Sequence, residues 1–177
     1  ADLAEEFIKS IFATVLKRCP DEMEFFARHV DSAVTDTLKR VMDSSFVRIT
    51  YTEAVELLRG AARDWQYPPA WGNDLRTEHE RYLTEEKYKN PVIVTDYPAA
   101  IKPFYMRVND DRKTVAAMDV LVPRIGEIIG GAQREDDLET LEKRESNLTP
   151  EEFPEIEEVP KTRKLAWEKE LLGVYVS

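Results

Sequence analysis

The chain has 177 residues, 42% of them hydrophobic, and a formal net charge of −10. Chains of this size bury roughly 70% of their unfolded surface, so one domain with a real core is the default. The acid excess argues against a broad phosphate-neutralising surface, and one cysteine, Cys19, with two histidines in all, excludes an internal disulfide and offers no ligand set for a soft metal.

No run of about 18 apolar residues is present, and the opening ADLAEEFIKS lacks the basic and then apolar regions of a secretory leader. A soluble, cytoplasmic protein without a membrane segment is expected. The acid is uneven: from Glu135 to the end there are 13 acidic and 6 basic residues, so any nucleic-acid contact is expected before that point.

Along the chain, Leu3, Phe7, Ile8, Ile11, Phe12, Val15 and Leu16 recur at steps of three and four, which predicts a helix ended by Cys19-Pro20. Residues 21–42 predict two shorter helices breaking near Asp31, with Met23, Phe26, Val30, Val34, Leu38 and Val41 inward. Phe46 to Ile49 predicts a short strand. Thr50-Tyr51-Thr52-Glu53 has capping-box spacing and opens a helix with Ala54, Leu57, Leu58 and Ala61 inward and Gly60 weakening its middle. After the turn Tyr67-Pro68-Pro69, residues 74–88 have helical composition.

The pattern then changes to short β-branched or aromatic runs: 91–95, 104–108, 114–122 and 126–129, separated by turn residues. Four such runs with short connections predict an antiparallel sheet, ended by Gly130-Gly131, and hence an α+β fold class with helices flanking the sheet. Residues 134–145 predict a helix. Residues 1–145 are read as one domain and 146–177 as an acidic, proline-rich arm with a short amphipathic segment from Leu165 to Val176.

Chemistry-bearing residues concentrate in the sheet region. Asp119 lies inside an apolar strand, where a buried acid needs a partner or a metal. Glu127 stands beside glycines that permit close approach. The two form a possible magnesium pair, although a cap or surface ion pair is the simpler reading of each. Arg134 has a fork suited to a planar amide or carboxylate. Tyr105 is either a ligand contact or a core residue. Glu78 and Glu80 flank His79 on a polar helix, His79 being read as packed or hydrogen-bonded rather than as a base. The sequence has no GxxxxGK[ST], GxSxG or HExxH.

The ordered strings Trp71-Gly72-Asn73-Asp74-Leu75, Glu78-His79-Glu80-Arg81-Tyr82-Leu83, Pro91-Val92-Ile93-Val94, Asp96-Tyr97-Pro98, Ile101 to Arg107, Lys113 to Leu121 and Gly126 to Glu135 resemble asparaginyl-tRNA synthetases, a family of class II aminoacyl-tRNA synthetases. The resemblance covers residues 1–145 and is strongest from Trp71 to Arg134. It implies a partial catalytic domain that binds asparagine, ATP and Mg2+, with tRNA(Asn) as acceptor and a homodimer in the full-length parent. It further implies Asp119 and Glu127 at the metal, Arg134 on the asparagine side chain, Tyr105 lining the pocket, and Gly130 and Gly131 making room for the substrate backbone. Glu78 and Glu80 either face the substrate amino group or lie behind it.

Pro103, Ala132 and Glu135-Asp136-Asp137 depart from the family pattern. The family's arginine-bearing second motif and glycine-rich third motif do not occur in the chain, so an incomplete asparagine-tRNA ligase, inactive alone, is expected. The alternative is a non-catalytic synthetase-like interaction module. Residues 163–177 are similar to a segment of bacterial replicative DNA polymerase alpha subunits.

Overall fold

A computed structural model describes residues 1–146 of the chain, and the predicted arm and its amphipathic segment lie outside the described residues. Helices α1 (Asp2–Arg18), α2 (Pro20–His29) and α3 (Val34–Asp43) lead into strand β1 (Val47–Thr50) and helix α4 (Tyr51–Gly60). A short helix α5 (Thr77–Arg81) runs into a π-helical turn, Tyr82–Lys87. Strands β2 (Val92–Pro98), β3 (Thr114–Val122) and β4 (Gly126–Ala132) follow, and α6 (Leu138–Ser146) comes last.

The local reasons are legible. Pro20 sits in the first turn of α2, where its missing N–H costs nothing. Thr50 caps α4: its side chain accepts from Glu53 N at 3.2 Å, and the Glu53 carboxylate accepts from Thr50 N at 2.7 Å. The π turn forms where Thr84 Oγ1 donates back to Glu80 O at 2.8 Å and Tyr88 N reaches Leu83 O. This turn is why the helical composition of 74–88 does not give one α-helix. Gly60 closes α4 instead of weakening its middle, and the helix expected over 134–145 begins at Leu138, after Asp137 caps Thr140 N at 2.9 Å.

The sheet order is β1-β2-β3-β4. β2–β3 and β3–β4 are antiparallel, whereas β1 lies parallel to β2, an edge pairing that the expectation of an all-antiparallel sheet missed. The crossover from β1 to β2 carries α4 and α5, as parallel neighbours require. The predicted strand 104–108 is not one. It makes only isolated bridges, Met106 to Arg134 and Val108 to Val115, because it is shared between two neighbours. Gly130 and Gly131 lie within β4 and do not end it.

Each face of the sheet buries a separate core. On one, Ala4, Ile8, Phe12 and Val41 from α1 and α3 cover Ile93, Val120 and Val122. On the other, Tyr51, Ala54, Val55, Leu58 and Leu83 cover Val92, Val94, Val115 and Leu121. Each fully buried Val or Leu stabilises by about 1.5–3 kcal/mol. The predicted inward residues Leu3, Phe7, Ile11, Phe26 and Val30 are instead exposed. Periodicity showed an apolar side of each helix, but the contact on α1 is the narrower stripe Ala4, Ile8, Phe12.

Candidate functional site

The face covered by α4 and α5 carries the candidate site. Regular alternation puts Val115, Ala117, Asp119 and Leu121 of β3 on this face. Two register shifts bring further residues to it. Pairing slips between Thr95 and Tyr97, where Asp96 takes the left-handed φ of 57°, and Tyr97 joins Val92 and Val94 against this core. Asp96 is held there by Thr95 Oγ1 at 2.7 Å and Asn109 Nδ2 at 2.9 Å. In β4, Val120 pairs with Ile129 but Leu121 with Glu127, so Ile128 is an extra residue and Glu127 shares a face with Gly130 and Asp119. Without that bulge Glu127 would point to the α1 side with Ile129.

Gly130 pairs with Asp119. A Cβ on Gly130 would lie 2.7 Å from Glu127 Oε1 and 3.5 Å from Asp119 Oδ1, so the absent side chain leaves space that two carboxylates share. Glu80, from α5, brings Oε2 to 3.4 Å from the corresponding point on Gly126. Burial first, then Glu127 and Asp119, raises the Glu80 carboxyl above its usual range. Burial and Asp119 raise Glu127, with Lys102 opposing. Tyr97 is buried, and burial followed by the Asp119 charge lifts its phenol far above the ordinary value, leaving it a neutral donor.

Two of these carboxylates, Asp119 and Glu127, share a nearby cation, Lys102. Asp119, 8% exposed, accepts from Lys102 Nζ at 3.1 Å, and Nζ lies 4.0 Å from the Tyr97 ring centre. Sequence reasoning found Asp119 and its need of a partner but missed Lys102 and Tyr97. Lys102 follows a 3-10 turn with no periodicity to betray its direction, and Tyr97 reaches the site only through the slip at Asp96.

Arg134 continues the alternation of Gly130 and Ala132 beyond β4. Its guanidinium stacks 4.2 Å over the Tyr105 ring and has no carboxylate partner among the described residues. The two are aligned by paired backbones, Glu135 N to Tyr105 O at 2.9 Å and Arg107 N to Gln133 O at 2.9 Å. An exposed fork beside a half-exposed aromatic ring has the geometry to engage a planar ligand group.

Other predicted residues lie apart. Glu78 accepts from Tyr67 N at 2.7 Å and Gln66 N at 3.2 Å, which ties its carboxylate to the preceding loop and holds it below the usual range. Gly131 turns to the opposite face, where an added Cβ would meet Met118 Cε at 3.5 Å. His79 is buried. Its Nδ1 accepts from Arg76 N at 3.0 Å, so Nε2 carries the proton and donates to Tyr67 O at 2.8 Å, the packed role expected of it. A cavity of about 510 Å3 lined by Thr37, Val41, Thr84 and Arg124 includes none of the site residues.

Among the described residues no group of three or more His, Cys, Asp or Glu is arranged to cage a metal. Asp119 and Glu127 nevertheless fit magnesium, which uses one or two carboxylates together with substrate phosphates and water. No helix among the described residues is long and apolar enough to cross a membrane.

The model of the family described as tRNA synthetases class II (D, K and N) matches residues 1–159. The chain is 57% identical over 143 residues to the asparagine–tRNA ligase of Nostoc sp., an alignment covering 81% of the chain and 31% of the relative. It therefore spans about a third of the length of such relatives. Among solved structures it is similar to asparaginyl-tRNA synthetase from Pyrococcus horikoshii complexed with asparaginyl-adenylate, at 37% identity and TM-score 0.64, covering 84% of this chain and 33% of that one. It is also similar to aspartyl tRNA synthetase from Entamoeba histolytica, at 31% identity and TM-score 0.67, covering 84% and 30%.

Proposed function

This chain belongs to the class II tRNA synthetases (D, K and N), and from that premise we propose that it carries the amino-acid pocket and metal pair of an asparagine–tRNA ligase. The observation that carries the reading is the gathering of Asp119, Glu127 and Glu80 on one sheet face, with the Arg134 fork, which has no carboxylate partner among the described residues, further along the same face. The names of its relatives favour asparagine over the other amino acids of the group.

In the parent reaction the carboxylate of asparagine attacks the α-phosphorus of ATP, giving the adenylate and pyrophosphate, and the acyl group then passes to tRNA(Asn). Arg134 donates to the side-chain carbonyl of asparagine, with Tyr105 fixing the plane of its guanidinium. Glu80 receives the α-ammonium, because its carboxylate is turned to the cluster whereas that of Glu78 is spent on the 66–67 backbone. Asp119 and Glu127 would hold Mg2+. Magnesium, when bound, offsets phosphate charge at the reacting phosphorus. The chain's part is positioning and electrostatics, with no covalent enzyme intermediate. A cytoplasmic location suits such a role.

The test is asparagine-dependent pyrophosphate exchange after mixing this chain with separately expressed remaining segments of a relative. Exchange that is lost with Asp119→Asn supports the proposal. Exchange driven equally by aspartate, or a folded complex that stays silent, contradicts it.

A further inference from the structure

The carboxylate cluster already contains a cation, and its placement divides the oxygens of Asp119. Lys102 Nζ takes Oδ2 at 3.1 Å, while Oδ1 is the oxygen directed to the Gly130 space that Glu127 also fills. Lys102 lies at the end of the 3-10 turn Ala99–Ile101 in extended backbone, φ −119° and ψ 153°. Its side chain is only 19% exposed and lies across the Tyr97 ring. Asp119 is its sole ion-pair partner among the described residues. A lysine so enclosed is held in place beside Asp119.

We propose that Lys102 is a positioning residue that acts as the resident counter-cation of the Asp119, Glu127 and Glu80 cluster, orienting Asp119 Oδ1 toward Glu127 and weakening the binding of free divalent metal. This rests on the metal reading of Asp119 and Glu127 given above. Two effects of Lys102 oppose each other. Holding the Asp119 carboxylate favours a metal by sparing it the loss of side-chain freedom, whereas the ammonium repels a dication in a partly desolvated site. Repulsion wins at Asp119, because the Lys102 and Asp119 side chains are only 19% and 11% exposed, so the ammonium is less screened there than at the exposed Glu127, and its charge interaction exceeds the ordering of one short side chain. A metal that arrives on a polyphosphate brings negative charge of its own, which offsets the ammonium. The site therefore discriminates metal–nucleotide from free metal, and Lys102 is the residue that makes it do so.

The test is titration of the chain with Mn2+, read by the electron paramagnetic resonance signal of the free ion, with melting curves as a check of folding. Lys102→Met, and Lys102→Gln, which keeps a hydrogen-bond donor without the charge, are each expected to tighten Mn2+ binding at least tenfold. Lys102→Arg is expected to bind as the unaltered chain does. Adding Glu127→Gln to either neutral variant is expected to abolish the gain. Unchanged or weaker Mn2+ binding in both folded neutral variants would overturn the role of Lys102 alone. Absence of any Mn2+ binding sensitive to Glu127→Gln, in the unaltered chain and the neutral variants alike, would overturn the metal reading and this inference with it.

Discussion

Glu80 and Glu127 carry the acid chemistry of the site into the stability of the chain. Both carboxyls titrate above the ordinary 4.5 in the folded state, through burial and then mutual repulsion with their acidic neighbours. A raised folded value means that the folded chain holds these protons more tightly than the unfolded one. Their contribution is full below 4.5 and is lost as pH rises through the folded values. Glu127→Gln cannot ionise, so at pH 7 it should be more stable than the unaltered chain, by no more than about 0.2–1 kcal/mol because water screens the exposed Glu127 carboxylate. That difference should vanish below about pH 4.5. Asp111, held low first by the Lys113 N–H and then by Thr114, and Glu53, held low by Thr50, act in the opposite sense in both proteins and cancel in the comparison. A Glu127→Gln melting temperature that is lower at pH 7 would sink this electrostatic account.

Gly130 gives a sharper residue-level test. Its φ is not positive, so alanine is allowed there, and the unfolded-state effect of Gly→Ala is a gain of about 0.4–1 kcal/mol. The new Cβ would come within 2.7 Å of Glu127 Oε1, at the end of a side chain that can move away. Gly130→Ala should melt within about 1 kcal/mol of the unaltered chain while losing Mn2+ affinity. Retained affinity would show that the Gly130 space does not position Glu127. At this scale the sequence marked Asp119, Glu127 and Arg134 by residue type and setting. The direction of Glu127 and the arrival of Tyr97 depend on one-residue slips at Ile128 and Asp96, which no alternation pattern reveals.

The elements differ in how plainly the sequence announces them. The capping box at Thr50 and Glu53 and the apolar run of β3 are local signals that tertiary packing did not override. The segment 104–108 has strand composition but divides its backbone bonds between Ala116 and Gln133, a partition set by the sheet and not by the segment. Helix α1 shows the same limit from the packing side. Phe7 is 56% exposed and Ile8 is 2% exposed, though both belong to the apolar pattern. Ile8→Ala should cost about 2–5 kcal/mol in denaturant unfolding, and Phe7→Ser within about 0.5 kcal/mol of nothing. Equal costs at the two positions would show that the helix packs by the wider stripe.

For the whole molecule, the central claim is that residues drawn from α5, β3, β4 and the segment beyond it make one asparagine pocket within the compact unit Ala1–Glu145. Arg134 is the residue on which the claim turns, since among the described residues its exposed guanidinium contributes to folding through the Tyr105 stack, worth about 0.5–1 kcal/mol. The most direct measurement is calorimetric titration of the chain and of Arg134→Ala with a non-hydrolysable asparaginyl-adenylate analogue. The account predicts binding by the unaltered chain that disappears in Arg134→Ala at a nearly unchanged melting temperature. A folded chain that gives no heat, or an Arg134→Ala variant that binds as well as its parent, would contradict it.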